Sequence, residues 1–346
     1  MTPSRRNLAR FLLGSTLGVG ALAAYLRFVG TDAVLARAST IAPAALALVA
    51  CLVVAEAVVD GIGVWASVRP LGGGLSSGKS VQFAFAGDFF DTLSPAGPVS
   101  SEPIMARFIG VATETTYSEA LGVRGVAKYV KSGAQLFVST ALAVVLLAGQ
   151  PSASAVVTTL GGALVGLLVV GALLVRSRAV VSTGLVAVLA PVVRVVSSLY
   201  RERPHDRAAV ADAVSRFTRR VGQFRDRPGL LVLIALGGVL EQLLTATALW
   251  VALSGTGTAV PLLPIVALVP LPQAASAVPV PASIGAYDVL LSGGLALVTG
   301  VPAAETAAPV LVVRALSIPL ALGVGGVAVA FLRGWRPGAQ SESDAD

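Results

Sequence analysis

Cysteine, histidine and charge are scarce in this 346-residue sequence, which has one cysteine, one histidine and 12% charged residues. The single Cys51 excludes an intramolecular disulfide and argues against a cysteine metal site. The only histidine, His205, excludes a two-histidine metal site and argues against a Ser-His-acid triad. The sequence therefore predicts neither a metal nor any other cofactor.

Hydrophobic residues, in contrast, make up 55% of the chain. Apolar runs of about 20 residues recur, and this length crosses the hydrocarbon core of a bilayer. We therefore predict an all-α, polytopic membrane helix bundle that forms a single membrane domain over residues 1–346. Six full crossings are expected, at Leu8–Phe28, Ala42–Val68, Ser132–Gly149, Val156–Val175, Leu230–Leu253 and Ala307–Leu332.

The basic residues predict the orientation. With the amino terminus inside, 22 of the 25 lysines and arginines fall in cytoplasmic segments. This predicts a multi-pass protein of the cytoplasmic (plasma) membrane with both termini cytoplasmic, a basic cytoplasmic loop at 201–227 and a disordered tail at 337–346. Residues 179–200 are interpreted as an interfacial or hairpin segment, with eight crossings as the alternative. Arginine outnumbers lysine 22 to 3, which is typical of a GC-rich prokaryotic genome.

The segment from Thr116 to Lys131 has a capping-box spacing, Thr116 with Glu119, followed by basic residues. This pattern predicts an amphipathic helix that lies on the cytoplasmic leaflet and leads into the third crossing. The basic loop at 201–227 is explained by the same membrane-side charge bias, so we expect no nucleic-acid partner.

Two Pro/Gly-rich breaks, Ser94–Pro103 and Val278–Asp288, interrupt sequence at membrane depth. Hydrocarbon offers no water for freed backbone groups, so such breaks occur where they are buried in protein or line a polar cavity. We predict two broken, re-entrant helix pairs, near 81–107 and 261–299.

Each break places a proline seven residues before an acid, Pro95 before Glu102 and Pro281 before Asp288. The matched spacing suggests an inverted repeat with halves at about 1–150 and 156–333, a construction used by secondary transporters. The alternative is that any bundle with an even number of helices can be divided into two halves.

Seven acids are expected at or near membrane depth, namely Glu56, Asp60, Asp88, Asp91, Glu102, Glu241 and Asp288. Burying an ionised carboxylate in the bilayer is costly, so each should face water, a cation or a partner. These acids could line a pathway for a cationic head group, a proton or a sodium ion. They could equally pair with Arg107, Arg314 and Lys128 and hold the bundle together.

Two arginines have more than one interpretation. Arg314 falls well inside the last crossing, where it could bind a lipid phosphate or pair with Asp288 or Glu241. Arg107 has the same two roles open to it, and a third interpretation is that it snorkels to the interface.

The stretches FFDTLSPAGPVSSEPIMARF (Phe89–Phe108) and PVPASIGAYDVLLSGGLALVTGVP (Pro279–Pro302) resemble the two signature regions of the lysylphosphatidylglycerol synthase transmembrane-region family of flippase-like membrane proteins. The residues that carry the resemblance are Pro95, Gly97 and Glu102 in the first region and Pro279, Pro281, Gly285 and Asp288 in the second. Ala282 and Ser283 stand where the family usually has glycine, and Asp288 replaces glutamate.

The resemblance implies a membrane domain that moves or presents lipids, with a membrane lipid or polyprenyl-linked head group as cargo. Some members carry a soluble aminoacyl-transfer domain or a glycosyltransferase, and neither is expected in this sequence, so an enzyme is the less favoured interpretation. The alternatives are a membrane-embedded enzyme with Glu102 or Asp288 as acid or base, or an accessory subunit of a separate synthase or glycosyltransferase.

Overall fold

A computed structural model describes residues 23–24, 26–27, 30–93, 98–147, 154–176, 207–272 and 283–332 of the chain. These residues form eleven helices and no strands, which agrees with the predicted all-α class. In chain order the helices are α1 Thr31–Ala38, α2 Pro43–Val68, α3 Ser77–Leu93, α4 Pro98–Thr113, α5 Tyr117–Leu147, α6 Ser154–Arg176, α7 Arg207–Gln223, α8 Pro228–Gly255, α9 Leu262–Leu268, α10 Ala286–Thr299 and α11 Ala303–Ala330.

Five of these helices, α2, α5, α6, α8 and α11, are long and apolar enough to cross a membrane. They correspond to five of the six predicted crossings, because runs of 20 or more helical residues exceed the roughly 30 Å hydrocarbon thickness. The other predicted crossing, Leu8–Phe28, lies almost entirely outside the described residues. The segment at 179–200 and the tail at 337–346 lie outside them as well.

The third crossing begins earlier than predicted. We expected a surface helix followed by a crossing at Ser132, but α5 runs unbroken from Tyr117 to Leu147. The predicted capping interaction is present, since Glu119 Oε2 accepts hydrogen bonds from the Thr116 amide at 3.1 Å and hydroxyl at 2.9 Å. The prediction that the basic residues of this segment lie on the leaflet surface is wrong, because Arg124 is buried and Lys131 pairs with acids of other helices.

Both predicted breaks are flanked by helix pairs. Helices α3 and α4 flank residues 94–97, and α9 and α10 flank residues 273–282, which lie outside the described part of the chain. In each half, a long helix is therefore followed by a broken pair and then by a second long helix. Whether either pair is re-entrant stays a prediction.

The helix contacts follow a paired pattern. Helices α2 and α8 form the most extensive contact. Exchanging α2 with α8, α3–α4 with α9–α10, and α5 with α11 turns each contact among them into another observed contact. For example, α2–α3 becomes α8–α9, α4–α5 becomes α10–α11, and α3–α11 becomes α9–α5.

The paired long helices run in opposite directions. Gly255, at the end of α8, lies against Ile41 and Ala45 at the start of α2, whereas Gly237, in the first half of α8, lies against Ile62 in the second half of α2. The exchange that relates the two halves therefore also inverts them.

The basic loop contains a helix that we did not predict, α7 (Arg207–Gln223). Arg220 of α7 donates to Glu119 Oε1 at 2.9 Å and to the Pro70 carbonyl at 2.9 Å. The side chains of Val214 and Phe224 are buried. Helix α7 therefore ties the start of α5 to the loop after α2.

Candidate functional site

Charged side chains lie close to the midpoints of four long apolar helices. Glu56 is near the middle of α2, Lys131 of α5, Glu241 of α8 and Arg314 of α11. A residue at the centre of a membrane-spanning helix is the furthest from water at either surface. The charges therefore mark one layer, at which a polar site in the bundle would lie.

The first charged cluster joins α3, α4 and α5. Arg124 forms a two-pronged ion pair with Glu102, with both hydrogen bonds at 2.7 Å, and the two side chains are 7% and 14% exposed. Lys128 Nζ lies 3.3 Å from Glu102 and 3.5 Å from Asp91, and Asp91 also accepts a hydrogen bond from Ser101. The paired geometry gives Glu102 a strong structural role.

The second cluster is centred on Lys131. Its ammonium group donates to Asp60 Oδ1 of α2 at 2.7 Å and also contacts Glu241 of α8. One cation on α5 thus holds acids from both of the other helices. The expectation that Glu56 and Asp60 share a helix face agrees with their spacing, but only Asp60 has an ion-pair partner among the described residues.

The third cluster joins α10 and α11. Arg314 Nε lies 3.5 Å from Asp288 Oδ1, and its guanidinium carbon lies 4.6 Å from the centre of the Tyr287 ring. The other Asp288 oxygen, Oδ2, accepts a 2.9 Å hydrogen bond from the Gly285 amide and caps α10. Gly285 has φ +82°, a conformation that favours glycine. The nearby Ser283 has φ +49° at a position where the resemblance led us to expect glycine.

A cavity of about 210 Å³ lies between α2, α3, α8, α10 and α11. Its charged and hydrogen-bonding lining comprises Glu56, Asp88, Asp91, Thr92, Thr245, Tyr287, Arg314 and Ser317. Glu56 and Asp88 have no hydrogen-bond or ion-pair partner among the described residues. We call this space the midplane cavity. It offers an arginine to an anionic group and carboxylates to a cationic one.

The predicted site residues divide into four groups. Glu56, Asp91 and Arg314 line the midplane cavity. Asp60, Glu102, Glu241 and Asp288 are held in the ion pairs described above, with Gly285 at the capped start of α10. Arg107 is exposed. Pro95, Gly97 and Pro281 lie outside the described residues.

Sequence reasoning missed several partners at these sites. Arg124 and Lys131 were assigned to a surface helix, and Tyr287 was not singled out. Their spacing held a signal, because Arg124, Lys128 and Lys131 recur at intervals of four and three residues and so share one helix face. Within the described residues, no group of histidine, cysteine or acidic side chains is arranged to hold a metal ion.

A constant sequence offset relates two of the charged clusters. Glu102 and Asp288 are 186 residues apart, and so are their partners Lys128 and Arg314. The acid–base contact at 3.3 Å in the first half is thus matched by one at 3.5 Å in the second. On the α2 and α8 pair, Glu56 and Glu241 are 185 residues apart, as are the first residues of the two helices.

The long apolar helices and the buried charged layer define a multi-pass helical membrane protein. Residues 8–325 match the family described as lysylphosphatidylglycerol synthase TM region. The chain belongs to this family, as the resemblance predicted, and it is thereby related to lipid metabolism at the membrane. No curated protein and no solved structure matched the chain in the corresponding comparisons.

Proposed function

We propose that this protein moves a lipid head group across the cytoplasmic membrane, with the midplane cavity as the head-group site. The observation that carries the proposal is a cavity with charges of both signs near the midpoints of α2 and α11. Charged residues at this depth are costly and are typical of substrate or ion pathways.

The size of the midplane cavity fits a head group rather than a whole lipid. A volume of about 210 Å³ equals about seven water molecules at the roughly 30 Å³ that each occupies in the liquid. Acyl chains would stay outside, in contact with the exposed apolar faces of the long helices. Arg314 suits phosphate oxygens, and the unpaired carboxylates of Glu56 and Asp88 suit a cation or an amine.

The paired helix contacts and the offset ion pairs support an inverted repeat. In transporters built this way, the substrate site lies near the midplane at the interface of the repeats, and the two halves move against each other to open it to alternate sides. The midplane cavity fits this description, because α2 and α3 come from the first half and α8, α10 and α11 from the second. With the orientation predicted from the basic residues, both termini lie in the cytoplasm.

The test is lipid transfer in sealed vesicles that contain the purified protein. Fluorescent phosphatidylglycerol and phosphatidylethanolamine are placed in one leaflet, and their appearance in the other is followed with a membrane-impermeant quencher. Arg314→Gln should slow transfer at least about tenfold, because hydrogen bonds to charged groups contribute more than neutral ones. Glu56→Gln should alter transfer of the amine-bearing lipid more than of the other.

Arg37→Gln is the matched control. Arg37 also pairs with an acid, Glu305 at 2.7 Å, but this pair lies between α1 and the start of α11 and does not line the midplane cavity. Transfer that is equal in wild type, Arg314→Gln and protein-free vesicles would refute the proposal. A change in lipid mass, with no movement between leaflets, would favour a membrane enzyme instead.

A further inference from the structure

A second, almost closed cavity lies on the other side of the charged layer. Its volume is about 10 Å³, and it is lined by Asp60, Gly63, Val64, Arg124, Ala127, Lys128, Lys131 and Ile234. We call it the closed site. It is bounded by α2, α5 and α8, whereas the midplane cavity has α8 and α11 among its walls.

Seven of the eight residues that line the closed site have counterparts in the midplane cavity. An offset of 185 residues takes the α2 residues to α8, and an offset of 186 takes the α5 residues to α11. The counterpart pairs are Asp60 and Thr245, Gly63 and Ala248, Val64 and Leu249, Arg124 and Val310, Ala127 and Val313, Lys128 and Arg314, and Lys131 and Ser317.

The same offsets relate the ion pairs Glu102–Lys128 and Asp288–Arg314. The closed site is therefore the place that the inverted repeat makes equivalent to the midplane cavity. Because the paired helices α2 and α8 are antiparallel, the two places face opposite sides of the membrane.

We infer that the closed site is a second head-group site that opens when the midplane cavity closes. This inference rests on the proposed function and gives it a second state. The closed site carries three basic residues, Arg124, Lys128 and Lys131, where the midplane cavity carries Arg314 alone. Once open, it would bind the anionic phosphate of the head group.

Identifiable contacts keep the site closed. Lys131 joins Asp60 of α2 to Glu241 of α8, and a Cβ added to Gly238 would lie 2.8 Å from Lys131 Cγ. The counterpart of Gly238 is Val53, which lines the midplane cavity. Close approach at a glycine thus shuts one site where a larger residue borders the open one.

The test measures the reactivity of a cysteine at position 127 with a small thiol reagent in lipid vesicles. The background is Cys51→Ser, which removes the only native cysteine. Ala127→Cys should react slowly in this background, because Ala127 is 6% exposed. Adding Lys131→Gln should raise the reaction rate at least about tenfold, since removing one partner of a buried ion pair leaves the others buried and unpaired.

The decisive variant adds Val313→Trp, which places a large side chain in the midplane cavity and prevents it from closing. If the sites open in alternation, Val313→Trp returns position 127 to slow labelling in the Lys131→Gln background. Leu322→Trp, on an exposed part of the same helix, should not do so. Labelling that stays fast with Val313→Trp would show local loosening and overturn the inference.

A second route avoids any change of charge. Gly238→Ala should also speed labelling at position 127, because its methyl group forces α5 away from α8. Gly166→Ala is the control, since a Cβ there has no atom within 4 Å. Slow labelling in both Lys131→Gln and Gly238→Ala would refute the second site.

The labelling experiment needs no cargo, so its outcome is separable from that of the lipid-transfer assay. Lipid transfer without coupled labelling would leave the proposed function standing and remove the second site. Coupled labelling without lipid transfer would keep two alternating sites but exclude the tested lipids as cargo.

Discussion

The ion pair between Arg124 and Glu102 offers a direct test of the buried charge network. Its two side chains are 7% and 14% exposed and share two 2.7 Å hydrogen bonds. Removing one partner of such a pair costs about 3–5 kcal/mol, because the remaining charge stays buried. Lys128, at 3.3 Å from Glu102, offsets part of this loss. We therefore expect Arg124→Gln to lower the free energy of unfolding by about 3 kcal/mol.

The unfolding free energy would be measured by titrating the protein from mild detergent into SDS and following its helix content. Arg107→Gln is the control, because Arg107 is exposed on the neighbouring α4 and should cost less than about 0.5 kcal/mol. The double variant Glu102→Gln, Arg124→Gln leaves no unpaired arginine or glutamate and should be more stable than the sum of the single effects. Equal losses for Arg124→Gln and Arg107→Gln would refute this account of the network.

Two further predictions concern packing and the attachment of α7. A Cβ on Gly325 would lie 2.5 Å from the Phe85 carbonyl oxygen, so Gly325→Ala should destabilise the α3–α11 contact by about 1–3 kcal/mol in the same titration. Gly323→Ala, with no atom within 4 Å, should be near neutral, and equal losses would contradict the packing argument. Glu119→Gln should speed tryptic cleavage after Arg219 and Arg220, because Glu119 anchors α7 through Arg220. Asp212→Asn changes an ion pair within α7 alone, and cleavage as fast as in Glu119→Gln would contradict the anchoring role.

The long helices could be predicted because crossing a bilayer demands a length and a hydrophobicity that any window of sequence displays. The start of α5 could not, because its first half carries charges that look like a surface helix. Those charges are tolerated inside the bundle only because acids of α2, α4 and α8 lie opposite them. Such pairing is a tertiary fact that hydropathy does not contain.

Helix α7 was missed although its sequence carried a signal. Val210, Val214, Phe217 and Val221 recur at intervals of four, three and four residues, which is the period of one helix face. The high density of arginine drew the interpretation toward a polar loop. Periodicity was the better guide here, because an apolar stripe needs a surface to pack on, and the start of α5 provides it.

The candidate site was only partly predictable. Glu56 and Asp60 share a helix face, yet one lines the midplane cavity and the other meets Lys131. No spacing rule distinguishes them, since the difference depends on where α5 crosses α2. The matched proline-to-acid spacing did indicate a repeat, and extending it to Lys128 and Arg314 would have linked the basic partners as well.

The differences between counterpart residues suggest why the empty protein adopts the observed state. The charges of the closed site neutralise one another, since Lys131 meets Asp60 and Glu241. The midplane cavity instead holds Glu56 and Asp88, and closing it would bury both carboxylates without a cation, which costs several kcal/mol for each ion that stays charged. A cargo or ion that carries positive charge into the cavity would remove that cost, and so would favour the exchange of open and closed sites.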